Sequence, residues 1–343
     1  MYSVTNNRGF IPQNEQFEDR EMVGDDVKSY KIIEHGEFAY NPARINVGSI
    51  ARYVGTEPCM ISSLYVCFKP SNEVDGSFLM QFLKSPKANF YYNVNGEGGV
   101  RIYLFYPNFA RIRTAIPSLS EQCKISSLFK LLDERIATQR RLIEDLEKLK
   151  SSIVDRIFSD VNGEVVKYRD VLEVSNLRND GKADYSILSA SQEFGMIERE
   201  SLDIDIKAEA KSVKAYKRVH AGDYVLHLRS FQGGLAFAEV EGICSPAYTI
   251  LRPNKRLEYG YLKEYFNSPK FIKSLVLVTY GIRDGRTINV DEFLEMNISI
   301  HSKDKQAEIV KSFSVLSEKL RLEKKILYRY ERQRTYLLNQ LFI

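Results

Sequence analysis

The chain repeats itself, and the repeat limits its possible folds more than any other feature does. The stretch 116–159 ("IPSLSEQCKISSLFKLLDERIATQRRLIEDLEKLKSSIVDRIFS") lies over the end of the chain without a gap at a shift of 184. Ile116 then meets Ile300, Gln122 meets Gln306, Ile125 meets Ile309, Phe129 meets Phe313, Leu132 meets Leu316, and Phe158 meets Phe342. The segments upstream repeat as well. Residues 61–87 answer 244–270 at a shift of 183: Tyr65 falls on Tyr248, Pro70 on Pro253, Leu79 on Leu262, and the Ser-Pro-Lys at 85–87 on that at 268–270. Further up, Tyr30-Lys31 and Gly36 match Tyr216-Lys217 and Gly222, and "YSVTN" near the start resembles "YSILS" from Tyr185.

Each repeated tail carries a heptad rhythm. Apolar residues alternate in steps of four and three at Ile125, Phe129, Leu132, Ile136, Ile143, Leu146, Ile153 and Ile157, and again at Ile309, Phe313, Leu316, Leu320, Leu327, Tyr330, Leu337 and Leu341. A mean step of 3.5 is the seam of a coiled coil, and neither run holds a proline or glycine. The polar seam positions also recur, Gln139 with Glu323 and Lys150 with Arg334. Matching polar positions suggest two helices that pack on each other. Between them, short β-type runs, glycine turns and helical patches (Phe78–Leu83, Tyr261–Phe266) predict α+β units. The expected order is a globular unit at 1–115, a helix at 116–160, a second unit at 161–299 and a second helix at 300–343. The second unit has a lead-in, "YRDVLEVSNLRNDGKAD" (168–184), without a counterpart before Tyr2, so the first unit is expected to lack its opening strand.

Composition adds only limits. The chain is 44% hydrophobic and 27% charged, ordinary for a globular protein, and its net charge of +4 permits nucleic-acid binding without demanding it. Residues 301–343 carry ten Lys/Arg against five Asp/Glu. No apolar run approaches a membrane span, and no leader pattern opens the chain. Cys59, Cys67, Cys123 and Cys244 show no zinc spacing and are expected as reduced thiols in a cytoplasm.

One stretch invites a catalytic reading. "FAYNPARINVGSI" (38–50) sets Asn41-Pro42 among aromatics, as adenine methyltransferases set their Asn/Asp-Pro-Pro-aromatic loop. It lacks the second proline and the following aromatic, and no glycine-rich loop for S-adenosylmethionine precedes it. The stretch reads as a turn, with Arg44 placed to reach phosphate or guanine. No set of histidines or carboxylates has catalytic or metal-binding spacing.

Globular unit, long helix, globular unit, long helix: this layout resembles the DNA-specificity subunit of type I restriction-modification systems. The resemblance covers nearly the whole chain. Ile116, Pro117, Leu119, Glu121, Gln122, Lys124 and Ile125 look like that family's "IP-x-L-x-EQ-x-KI" link, "IFS" (157–159) looks like its helix exit, and the stretch from Val4 to Ile50 looks like a recognition-domain opening. The second link departs, with His301-Ser302-Lys303. The resemblance implies two target-recognition domains, an antiparallel coiled coil that spaces the two halves of a split double-stranded DNA target, and a non-catalytic role. It further implies docking of two modification subunits, which bring S-adenosylmethionine and the adenine chemistry, and of a restriction subunit. Candidate DNA-contacting residues are Arg44, Arg101 in "GEGGVRI", Arg229 and Gln232 in "HLRSFQGG", and Arg283 and Arg286 in "GIRDGRTI". Glycines let the backbone approach DNA, and arginine and glutamine are common base readers. Two other readings stand beside this one: a coiled-coil adaptor without DNA, and the remnant of a fused restriction-modification enzyme.

Overall fold

The structure, a computed structural model, describes residues 1–16, 27–99, 101–159, 163–181, 184–191, 194–201, 213–281 and 286–342. The chain divides into two compact units: Met1–Arg141 with Lys324–Ile343, and Leu142–Glu323. Unit 1 holds strands β1 (Tyr2–Thr5), β2 (Gly9–Pro12), β3 (Lys31–Ile33), β4 (Phe38–Tyr40), β5 (Ile50–Arg52), β6 (Cys59–Ile61) and β7 (Val66–Phe68). Unit 2 holds β8 (Glu164–Lys167), β9 (Leu172–Ser175), β10 (Leu188–Ser191), β11 (Gly195–Glu198), β12 (Lys217–Val219), β13 (Tyr224–Leu226), β14 (Ala236–Phe237), β15 (Gly242–Cys244), β16 (Thr249–Pro253), β17 (Thr279–Tyr280), β18 (Thr287–Ile288) and β19 (Asn297–Ile300).

The sheets repeat with the sequence. In unit 1 the order is β2-β1-β6-β3 in one sheet and β5-β4-β7 in the other; in unit 2 the matching strands form the hairpin β10-β11, the pair β12-β15 and the sheet β14-β13-β16-β9. Side-chain detail repeats too. Lys31 Nζ donates to the Tyr65 carbonyl at 2.5 Å, and Lys217 Nζ to the Tyr248 carbonyl at 2.7 Å. Gly36 and Gly222 turn at φ +87° and +100°, which a side chain would resist. The Ser-Pro-Lys motif opens a helix in both units: Ser85 caps Pro86–Asn95 and Ser268 caps Pro269–Ser274, each with proline in the first turn where its missing N–H costs nothing. The buried core of unit 1 gathers Phe38, Tyr40, Phe78, Phe82 and Tyr92; that of unit 2 gathers Tyr168, Tyr224, Phe266, Phe271 and Phe293.

The long helices span Leu119–Ile157 and Lys303–Leu341. Within unit 1 the partners run antiparallel: Asp133 pairs with Arg334 at 2.5 Å, and Arg140 with Glu331 at 2.6 Å. Within unit 2, Val154 and Phe158 share a core with Ile309 and Phe313. The expected stripe and the buried one agree at Phe129, Leu132, Ile136, Ile143, Ile309, Phe313 and Leu320 but part at the helix ends. There Val154, Phe158, Leu338 and Phe342 are buried, Ile153, Ile157 and Leu337 are only partly so, and Leu341 is 38% exposed. A helix of 3.6 residues per turn drifts from a 3.5 repeat, and over the last turns the stripe advances by one residue. The domain cores capture what arrives there: Phe158 stacks on Tyr265, and Phe342 packs against Phe78 and Phe82.

The polar seam positions hold each helix to its own unit. Lys150 pairs with Glu264 at 2.6 Å, and Arg334 donates to Gln81 Oε1 at 3.2 Å; Gln81 and Glu264 are themselves repeat partners. A buried glutamine completes each junction. Gln122 donates to the carbonyls of Glu73 and Pro117 and accepts from the Asp75 N–H; Gln306 donates to the carbonyls of Arg256 and His301 and accepts from the Glu258 N–H. Three hydrogen bonds satisfy an amide that burial would otherwise penalise.

Candidate nucleic-acid interface

The turn at residues 41–49 is built by its own backbone. Asn41 Oδ1 accepts from the Ala43 N–H at 3.0 Å, an Asx turn, and the Arg44 N–H returns to the Asn41 carbonyl at 3.0 Å. A single 3-10 turn, Ile45–Val47, follows with Arg44 as its N-terminal flank, and Gly48 closes it at φ +96°. A Cβ on Gly48 would also lie 2.1 Å from Asn6 Oδ1, so this position admits only glycine without rearrangement. The Leu104 N–H donates to the Pro42 carbonyl at 3.0 Å and ties the turn to the second candidate segment. That segment is a small loop in which Glu97 and Tyr103 exchange two backbone hydrogen bonds, with Gly98 at φ +109°. Asn41, Arg44, Asn46, Gly99 and Arg101 line one concavity of about 590 Å³. Two of the sequence candidates, 57 residues apart in the chain, thus share one recess.

Unit 2 repeats the device between the matching strands. Arg229 flanks the short helix Ser230–Gly233, which joins β13 to β14 as the Ile45–Val47 turn joins β4 to β5. Gly234 ends it at φ +78°, and a Cβ there would stand 2.1 Å from the Phe266 carbonyl oxygen. The His227 N–H donates to Ser230 Oγ at 2.8 Å, and burial pushes the His227 imidazole below its ordinary pKa of 6.5. Gln232 is exposed on this helix, which lies against β18, the strand that Arg286 leads into. Arg283 lies outside the described residues.

Arginines elsewhere are committed to the fold. Arg252 forks onto Asp223 with two hydrogen bonds of 2.9 Å, and Arg256 pairs with Glu164. Arg44, Arg101, Arg229 and Arg286 are exposed, and among the described residues no carboxylate forms an ion pair with them. Uncommitted guanidiniums beside tight glycine turns can fork onto phosphate or a guanine edge. The sequence reading passed over two neighbours. Asn46 lines the same recess and contacts Asn93 at 3.4 Å, and the run after Arg101 exposes Tyr103, Phe105 and Tyr106, the first two stacked at 6.2 Å. The aromatic run "IYLFY" was the available signal, since exposed rings beside arginine suit stacking on bases. Among the described residues no cluster of His, Cys, Asp and Glu could hold a metal ion, and no helix is long and apolar enough to cross a membrane.

Neither a protein-family model nor a curated protein matches the chain. Solved structures do. A type I restriction-modification system, described for its complex assembly and conformational transition, aligns with a TM-score of 0.60 at 15% identity, over 90% of this chain and 82% of its own. The S subunit of a type I restriction-modification system from M. genitalium aligns with a TM-score of 0.52 at 14% identity, over 91% and 84%. The chain has the fold of type I restriction-modification S subunits: two α+β units and two long helices.

Proposed function

We propose that the chain is a non-catalytic DNA-specificity subunit whose two units each read one half of a bipartite double-stranded target. The observation that carries this reading is the duplicated arginine-flanked turn. Each unit presents an uncommitted guanidinium at the same place in the same sheet, between β4 and β5 or between β13 and β14. Phosphate contacts would position the units and the base edges would specify the sequence. The helix pair would fix the spacing between the half-targets. Its outward leucines, Leu128, Leu142 and Leu149 on the first helix and Leu322 with Tyr336 on the second, are exposed and offer apolar surface for two modification subunits. Those subunits would supply S-adenosylmethionine and the methylation of adenine, and a restriction subunit would join them.

The test is binding and methylation with the modification subunit present. Arg44→Ala with Arg101→Ala should weaken target binding by about 2–6 kcal/mol if both guanidiniums read bases, at about 1–3 kcal/mol each, and relax one half-target only. If they meet phosphates, the salt dependence should instead fall by about one per residue, with sequence preference unchanged. Arg229→Ala should act on the other half-target. Unaltered binding and unaltered methylated sites in all these variants would refute the reading.

A further inference from the structure

We propose that unit 1 accepts a strand–turn–strand segment from another polypeptide, seated on β7 and on residues 113–116 as Glu164–Ser175 is seated in unit 2. Unit 2 shows what these surfaces bind. There β9 covers the outer edge of β16, with Ser175 opposite Ile250, Val174 opposite Leu251, Glu173 opposite Arg252 and Leu172 opposite Pro253. A 3-10 turn, Tyr168–Asp170, leads back to β8, which pairs with β19 from Glu164 opposite Ile300 to Lys167 opposite Asn297.

Unit 1 has both surfaces and, among the described residues, neither partner. Its sheet stops at β7, the repeat of β16. Ile250 and Leu251 are completely buried, whereas Cys67 and Phe68 at the same positions are partly exposed. Residues 113–116, the repeat of β19, form no strand, and Ile116 is 50% exposed where Ile300 is 4%. Phe293 is buried beneath the stacked ring of Tyr168; its counterpart Phe109 is only partly buried. In the same cluster the buried hydroxyl of Tyr40 finds no hydrogen-bond partner. An open edge with unpaired backbone groups is a template for an added strand.

The chemistry of the occupant follows from the register. It is extended, with apolar residues at the places of Val166, Tyr168, Val171 and Leu172, all buried in unit 2. It carries an acid opposite Lys69, which stands where Arg252 faces Glu173. A second copy of this chain is the poorer donor, because giving up its own Glu164–Ser175 would open the β16 edge that the segment covers.

The probe is a synthetic peptide of residues 163–178, added to the full chain and followed by hydrogen exchange. A second protein carries residues 159–178 grafted after Ile343, which raises the effective concentration of the segment. The expected result is saturable peptide binding, with exchange slowed at residues 67–69 and 113–116 in both experiments. Val171→Asp with Leu172→Asp in the peptide should weaken binding at least about tenfold, since each buried apolar side chain contributes on the order of 1.5–3 kcal/mol. The same pair in the graft should abolish the protection. Exchange unchanged at both surfaces with the free and the grafted segment would overturn the proposal. Protection that rises with protein concentration alone, together with a dimer mass, would assign the edge to a second copy and overturn it equally.

Discussion

Unit 1 and unit 2 are one design executed twice, and they differ most where strands meet strands from distant parts of the chain. Local devices are duplicated almost atom for atom: the lysine on the tyrosine carbonyl, the serine cap, the glutamine at the helix junction. The sheet edges are not. Unit 2 closes its edge with β9 and draws β19 into a pair with β8, whereas unit 1 leaves the equivalent residues unpaired. Local hydrogen bonds travel with a duplicated sequence; a sheet edge depends on a segment that the duplicate need not carry.

If the units are equivalent at their helix junctions, the same injury should cost both alike. Phe158→Ala and Phe342→Ala should each destabilise the surrounding unit by about 3–5 kcal/mol, the usual range for a buried phenylalanine. Denaturant titration read by hydrogen exchange in each unit checks this. A loss below about 1 kcal/mol for either would break the equivalence. Gln122→Ala and Gln306→Ala should cost less, about 1–3 kcal/mol each, by leaving backbone groups of the neighbouring loop without partners. A difference between the two greater than about 2 kcal/mol would show that one junction is held by something else.

The smallest effect separates the units by pH. His227 occupies the place of Asn41, and burial holds its imidazole below 6.5. A depressed histidine is neutral when folded and takes up a proton more readily when unfolded. Its contribution to stability is therefore present above pH 6.5 and is lost as the pH falls below that value. Thermal unfolding followed between pH 7 and pH 5 should show an acid loss in unit 2 that His227→Asn removes. If the acid loss persists in that variant, His227 is not its source.

The repeat made the plan legible before any coordinates. A gapless match over two helices and paired Tyr-Lys and Ser-Pro-Lys motifs are local signals, and the structure repeats them. The phase of burial at the helix ends was not legible, because the heptad rule assumes a 3.5 repeat, whereas Phe158 and Phe342 follow the cores they enter. The equivalence of the two arginine turns was hidden by one residue: Arg44 stands four positions after β4 ends, and Arg229 three after β13. Gln122 and Gln306 stood out as a match, but hydrogen bonding to loops about 48 residues away leaves no mark in the spacing. The company kept by Arg44 and Arg101 depends on the bond from Leu104 to Pro42, equally invisible along the chain.

The tightness of the turn at Arg44 bears on the thermodynamics of any anion it meets. Its backbone is fixed by the Asx turn, by the bond to Leu104 and by a glycine with no room for a side chain. Little main-chain entropy remains to be lost when a ligand arrives. The toll falls on the arginine stem, about 0.5–1.5 kcal/mol for one immobilised long side chain. A guanidinium carried on so stiff a mount should release its ligand slowly for the number of contacts it makes, and loosening the mount, as Asn41→Gly would, should speed dissociation even though no contacting atom is removed.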